Sequence, residues 1–154
     1  MANEIQEKFS ASAAITISLA SLASSTTGVG RQSTIISNAT TKYSKVIVYL
    51  KVKQGTSPTG NRGVYVYGIR SDGTIRTDGA GASDAGLTVL NAPLLGTMVN
   101  KSSPSTGDLL YGEFVFYDPG PEWGIAIVHD TAVNLDSTEG NHDYNWVGVL
   151  PEVQ

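Results

Sequence analysis

The sequence predicts an all-β protein, an antiparallel two-sheet β-sandwich of jelly-roll type with eight or nine strands. Short segments in which side chains alternate with period two recur along the whole chain and are separated by turn signals. No convincing helix of ten or more residues is present. Of the 154 residues, 17 are glycine and only 16% are charged, which is unlike a helical bundle or a coiled coil. Eight strands in two sheets is the number found in a jelly roll.

The chain begins with a charged lead-in over residues 1–9. We interpret it as an N-terminal arm that precedes a single sandwich domain over residues 10–154. Ile5 and Phe9 are four residues apart, a spacing that allows either one helical turn with an apolar edge or an extended arm. Nine residues are too few to hold a helix alone.

Two strands are predicted in the next thirty residues. In residues 11–23, small polar residues alternate with apolar ones, so that Ile15, Ile17 and Leu19 share one side. This period-two pattern predicts a strand with one buried face. Residues 31–37 predict a second strand, which ends before an Asn-Ala-Thr turn.

The strongest strand prediction covers Lys45–Lys53. This segment is apolar on both sides, which indicates a central position in its sheet. Gly63–Ser71 predicts the next strand. The dipeptide that follows, Asp72-Gly73, is typical of a tight hairpin turn and leads into residues 74–76.

The second half of the chain contains five further predicted strands. Pro93 divides the first apolar stretch into two short segments, because proline cannot donate to a strand ladder. The five strands cover residues 87–90, 94–100, Leu109–Tyr117, 123–129 and 143–149. The residues that we expect to form the core are Ile15, Ile17, Leu19, Val46, Val48, Leu50, Val115, Trp123, Ile125, Ile127 and Trp146.

Charge is distributed unevenly along the chain. The net charge is −4, but residues 1–70 carry +6 and residues 71–154 carry −10. The acidic balance argues against direct binding to nucleic acid or to anionic lipid. If the two halves stay apart in the fold, the basic part of one copy can contact the acidic part of a neighbour. If the fold interleaves them, no such surface dipole survives.

Nothing in the sequence indicates an active site, and we expect a protein that is not an enzyme and has no cofactor. The absence of cysteine excludes disulfides, thiol catalysis and Cys-based zinc sites. His129 and His142 have no G-x-S-x-G nucleophile motif to work with, and we interpret them as structural. No signal peptide or continuous apolar span is recognisable, so we expect synthesis in a cytoplasm and no membrane partner.

Two acidic loops have the oxygen ligands that calcium prefers. Asp72, Asp78 and Asp84 fall at six-residue intervals in one loop, and residues 136–143 contain three acids and an asparagine. Neither loop matches the spacing of an EF-hand. We therefore interpret these residues as turn formers and predict no metal site.

Aromatic residues mostly alternate with aliphatic ones on the predicted strands, so one member of each pair faces away from the core. Outward tyrosines such as Tyr65, Tyr67 and Tyr111 are compatible with stacking on sugar rings. They are also typical of protein–protein interfaces, where tyrosine is enriched, and we favour that interpretation or core packing.

Several motifs carry a family resemblance. Residues 123–131 read W-G-I-A-I-V-H-D-T and are followed by the turn A-V-N-L-D and a last strand. With K-V-I-V-Y-L-K-V-K and G-V-Y-V-Y-G-I-R-S-D-G, they resemble small β-rich virion structural proteins of tailed bacteriophages. The resemblance implies a location in the virion, most simply as a head decoration protein, or otherwise in the tail or a fibre.

The resemblance implies a partner, the phage major capsid protein or another virion protein, and we also expect a homo-oligomer. The contact residues that we predict are two apolar residues of the arm and three cations of the basic half: Ile5, Phe9, Lys42, Lys45 and Arg62. A glycan-binding adhesin remains an alternative, supported by the tyrosines and the Asp/Asn-rich loops. The sequence leaves head or tail location, copy number and symmetry open.

Overall fold

A computed structural model describes residues 4–153 and confirms an all-β sandwich. Residues 1–3 of the predicted arm and Gln154 lie outside the described residues. The described chain forms eleven strands and one short 3-10 helix. The strands are β1 (Ile5–Phe9), β2 (Ala13–Ala14), β3 (Val29–Gln32), β4 (Ile36–Ser37), β5 (Lys45–Lys53), β6 (Gly63–Ser71), β7 (Ala85–Thr88), β8 (Leu94–Val99), β9 (Leu109–Tyr117), β10 (Glu122–His129) and β11 (Asp143–Val153), with the 3-10 helix at Glu139–Asn141.

The strands pair in the nested order of a jelly roll. The first sheet has the order β1-β11-β5-β9, with β2 also beside β11, and the second has the order β7-β3-β10-β6-β8, with β4 also beside β10. Every pairing is antiparallel. Thus β1 and β2 pair with β11, β3 and β4 with β10, β5 with β9, and β6 with β8, so early strands lie against late ones.

Eleven strands form, where eight or nine were expected, because some segments share one strand position. Residues 5–9 of the predicted arm form strand β1, which lies along β11 together with β2. The predicted strand 31–37 divides into β3 and β4, both beside β10. Ser33, at the break, is buried and exchanges hydrogen bonds with the Ile125 backbone.

The predicted strand over residues 11–23 is wrong except at Ala13–Ala14. The Ile15 N–H donates to the Tyr144 carbonyl in the first sheet, whereas the Thr16 carbonyl accepts from the Thr34 N–H on the side of the second sheet. This segment therefore crosses between the sheets and closes one side of the sandwich. Ile15, Ile17 and Leu19 are nevertheless buried, as the alternation predicted.

The main core lies between the two sheets, and most of the predicted core residues are in it. Val115 is not: it points outward, and Phe114 and Phe116 fill the core from the same strand. Trp146 is only partly buried and packs edge-on against Trp123, with the ring centroids 5.2 Å apart. The buried residues of this cluster are Ile15, Ile17, Leu19, Val46, Val48, Leu50, Val52, Val64, Val66, Met98, Phe114, Phe116, Trp123, Ile125, Ile127, Leu135 and Tyr144.

Candidate interaction surface

The surface of the first sheet that points away from the core is the candidate functional site, and we call it the outer face. Strand β5 is central in this sheet, as predicted, but only one of its faces is covered, since Tyr49 is 39% exposed. Cross-strand register sets the neighbours on the outer face, because directly opposed residues share a face. Its members are Ile5, Glu7 and Phe9 of β1, Lys45, Ile47, Tyr49, Lys51 and Lys53 of β5, Leu109, Tyr111, Glu113, Val115 and Tyr117 of β9, and Asp143, Asn145, Val147, Val149, Pro151 and Val153 of β11. Val149 lies on this side by register but is covered by its neighbours and buried.

A shallow depression of about 460 Å³ lies at one end of the outer face. Tyr49 is flanked by Glu113 on β9 and Asn145 on β11, and Tyr111 lies diagonally from it, opposite Lys51. The Lys51 ammonium forms an ion pair with Asp143 at the margin of the depression. The site thus offers two phenol rings with carboxylate, amide and ammonium groups around them.

A two-stranded ribbon lies at the opposite end of the outer face. Strand β5 begins at Lys45, opposite Val149, so within the described chain residues 150–153 pair only with β1. Ile5, Phe9 and Val153 are exposed on one side of this ribbon, by 73%, 57% and 64%. No third strand of the described chain joins this ribbon. An isolated two-stranded ribbon is marginally stable in water.

The structure brings together some of the predicted contact residues. Ile5, Phe9 and Lys45 all lie at the ribbon end, where the Lys45 ammonium reaches across β11 to an ion pair with Glu7. Lys42 lies close by in an exposed turn and has a positive φ of 58°. Arg62 does not belong to this group.

Arg62 precedes β6, after the loop that leaves the far end of β5, and its guanidinium lies 3.5 Å from an Asp130 carboxylate oxygen. It therefore lies about a strand length from Lys45, which is about 27 Å for nine residues. The sequence alone did not predict this separation, because it depends on the direction in which β5 runs.

The charge halves interleave in the fold. Seven ion pairs form among residues 4–153, and five of them join a cation of the basic half to an acid of the acidic half. These five are Lys8–Glu152, Arg31–Asp84, Lys51–Asp143, Lys53–Asp136 and Arg62–Asp130. Since early strands pair with late ones, the opposite charges meet within one copy. The expectation of a large surface dipole between neighbouring copies is therefore not supported.

Both histidines are buried and bonded to their surroundings. The His129 ring contacts the Leu22 carbonyl at 2.9 Å and the Thr131 hydroxyl at 3.0 Å. Burial lowers the pKa of His129, because it disfavours the charged form of the ring. The His142 ring accepts from the Lys53 N–H through Nδ1 and contacts the Asp136 carbonyl through Nε2. These contacts give each ring a structural role.

The acidic loops use their carboxylates in local hydrogen bonds. One Asp78 oxygen accepts from the three successive N–H groups of residues 90–92, and Asp84 binds Arg31. Bonds from the Asn141 side chain and the Thr138 N–H lower the pKa of Asp136 to about 2. Within the described part of the chain, no group of three or more His, Cys, Asp or Glu residues could hold a metal ion.

Tyr49 is one of the exposed residues of the outer face that sequence reasoning did not single out. Tyr49 alternates with the core valines of β5, and that alternation was the available signal for an outward ring.

No protein-family model matches the sequence, and no curated protein matches it significantly. Residues 4–153 contain no helix that is long and apolar enough to cross a membrane.

Proposed function

We propose that the protein is a non-enzymatic structural protein of a tailed-phage virion, and that it decorates the head by binding the shell protein through the outer face. One observation carries this proposal: the exposed apolar side chains are concentrated on that face. Among residues 4–153, twelve large hydrophobic residues are strongly exposed, and seven of them belong to this face. They are Ile5, Phe9, Tyr49, Leu109, Tyr111, Tyr117 and Val153.

Physical chemistry favours a protein partner for such a surface. Soluble monomers rarely expose large contiguous apolar patches, and the larger ones mark interaction sites. Tyrosine is enriched at protein–protein interfaces, where a ring supplies contact area and a hydroxyl supplies a hydrogen bond. The cations of the face, Lys45, Lys51 and Lys53, are already paired with carboxylates of the same copy. A partner therefore meets a largely neutral surface.

The choice of a virion as the location rests on the resemblance of the strand and turn motifs. A jelly roll alone does not select a function, because one fold supports many. The small size of the chain and its interleaved charges are compatible with a subunit that adds to a preformed lattice.

The test is quantitative mass spectrometry of purified particles from cells that carry the gene. A head decoration protein is expected at hundreds of copies per particle. A dozen copies or fewer would assign it to the tail or a fibre, and absence from the particles would refute the virion role.

Variants then test the surface. Tyr111→Ser should reduce retention on the particles, because it removes a ring that is 68% exposed on the outer face. Ile75→Ser is the matched control, since Ile75 is 73% exposed but lies in the hairpin after β6, outside this face. Equal retention of both variants would exclude the outer face as the docking surface.

A second candidate function is glycan binding, favoured by the depression between Tyr49 and Tyr111. A sugar ring can stack on a phenol while Glu113 and Asn145 bind its hydroxyls. Glycan-array binding followed by titration of the wild type and of Tyr111→Ala measures this directly. Tyr67→Ala, on the second sheet, is the control. A signal that Tyr111→Ala abolishes supports the adhesin role, and binding that Tyr111→Ala leaves unchanged excludes the depression.

A further inference from the structure

We propose that two copies of this chain pair edge to edge through strand β1, antiparallel, about a two-fold axis that passes next to Glu7. The partner is thus a second copy of the chain, and the two first sheets join into one continuous sheet. This inference goes beyond the decoration role and does not depend on it.

Among residues 4–153, no strand pairs with β1 on the side away from β11, so β1 has an open edge. All five of its residues are exposed. The Ser10 N–H donates to the Gly148 carbonyl of β11. Since successive residues of a strand point their backbone groups in opposite directions, Gln6 and Lys8 also bond to β11. The N–H and C=O groups of Ile5, Glu7 and Phe9 therefore point away from β11, toward the open edge.

Strand β1 is also self-complementary in one register. With the axis at Glu7, Ile5 of one copy lies opposite Phe9 of the other, and the two Glu7 residues face each other. This register uses the outward backbone groups of all three residues as hydrogen-bonded pairs. It also forms two apolar cross-strand pairs on the outer face, which is the kind of pair that stabilises sheets. An axis at Gln6 or Lys8 would instead place an apolar residue opposite Glu7.

Charge permits the same register. Two opposed glutamates would repel, but each Glu7 carboxylate is paired with Lys45 of its own copy. Lys8 is likewise paired with Glu152 of β11, at 2.9 Å. No unpaired charge of β1 therefore meets its equivalent at the axis.

The other edge of the first sheet is less suited to pairing. The odd-numbered residues of β9 point toward its open edge, because the even-numbered Asp118 donates its N–H to the carbonyl of Ser44, the residue just before β5. At the end of this edge, the Arg70 guanidinium donates to the Tyr117 carbonyl at 2.9 Å. A charged side chain placed on an edge opposes the addition of a strand.

The ribbon at the end of the first sheet gives the pairing a physical benefit. Residues 150–153 and β1 form only two strands there. Joining the ribbons of two copies makes a four-stranded sheet. A two-stranded sheet is marginally stable in water, whereas three or more strands with a hydrophobic face can be stable on their own.

Disulfide trapping in the full chain tests the register, and the absence of cysteine makes the test clean. In a hydrogen-bonded antiparallel pair the Cα atoms are about 5.5 Å apart, within the range of a disulfide. Glu7→Cys is therefore expected to give a cross-linked dimer as the main product on mild oxidation. Ile5→Cys is the matched control, because the two copies of residue 5 would be about 14 Å apart along the strands.

Sedimentation equilibrium tests the association itself, from micromolar to submillimolar protein. The wild type is expected to reach the dimer mass. Glu7→Pro should remain monomeric, because the lost N–H points outward and its ring blocks the new ladder, whereas the bonds to β11 stay intact. Glu113→Pro, on the edge of β9, is the control and should still dimerise.

A wild-type chain that is monomeric across this range would overturn the proposal. So would a dimer in which Glu7→Cys cross-links no better than Ile5→Cys. A dimer that Glu113→Pro abolishes and Glu7→Pro preserves would assign the contact to β9 instead.

Discussion

Asn100→Ala should lower the free energy of unfolding more than its single small side chain suggests. Asn100 follows β8, is 3% exposed, and joins three segments. Its Oδ1 accepts from the Arg62 N–H, and its Nδ2 donates to the Gln54 side-chain oxygen and to the Thr59 carbonyl, each at 2.8 Å. It therefore anchors the loop between β5 and β6.

The magnitude follows from which groups lose a partner. Gln54 is fully buried, and its Nε2 has no hydrogen-bond partner in the described structure, so removal of Asn100 leaves its whole side-chain amide unpaired. Such a buried group costs about 1–3 kcal/mol, and each of the two part-buried bonds contributes about 0.5–1.5 kcal/mol. The expected loss is about 4 kcal/mol, or roughly 8–16 °C in Tm for a domain of this size.

Thermal and urea denaturation followed by circular dichroism measure this loss. Asn145→Ala is the matched control, because Asn145 is exposed on the outer face, and it should change stability by less than about 0.5 kcal/mol. The double variant Asn100→Leu/Gln54→Leu should be less destabilised than the sum of its single changes, since both polar partners are removed together. If the Tm of Asn100→Ala falls by no more than that of Asn145→Ala, the network does not support the loop.

Three further predictions concern pH, packing and salt. Burial lowers the pKa of His129, so near pH 6.5 the unfolded chain binds a proton that the folded chain does not. The free energy of unfolding should therefore fall as the pH drops below about 6.5. In Tm measurements at several pH values, His129→Gln should lose this dependence. Gly68→Ala should lose about 1–3 kcal/mol in urea denaturation, because the added Cβ would lie 2.7 Å from the Phe116 ring, whereas Gly86→Ala, with its nearest atom 4.0 Å away, should not. Because the charges are paired within each copy, binding to particles should change little between 0.1 and 1 M salt. Release of the protein at high salt would instead support charge contacts between neighbouring copies.

The elements that the sequence predicted with correct bounds are those in which burial and strand pairing agree. Lys45–Lys53, Gly63–Ser71 and Leu109–Tyr117 are strands with those same ends. Alternation in residues 11–23 also predicted burial correctly, but burial does not require a ladder. The segment divides its backbone bonds between the two sheets, and its sequence has no signal for that choice.

The face of β9 could not be predicted because both of its sides are apolar. Val115 and Tyr117 alternate with Phe114 and Phe116, so periodicity alone does not select the inner side. Register with β5 decides it, since Phe114 lies opposite the core residue Val48. A sheet that keeps apolar residues on its outer side produces this ambiguity, because a solvated sheet has polar residues there.

The strand topology places the basic and acidic halves of the chain next to each other. In a meander, each strand would pair with its neighbour in sequence, so the cations of the first half would lie next to one another. Nested pairing places Lys51 of β5 beside Asp143 of β11, and Lys8 of β1 beside Glu152. Exposed pairs of this kind are typically worth about 0.2–1 kcal/mol or less, which is small against a typical stability of about 5–15 kcal/mol. The same charges would repel in a meander, so the distribution favours the jelly roll twice, by stabilising its pairings and by destabilising the alternative.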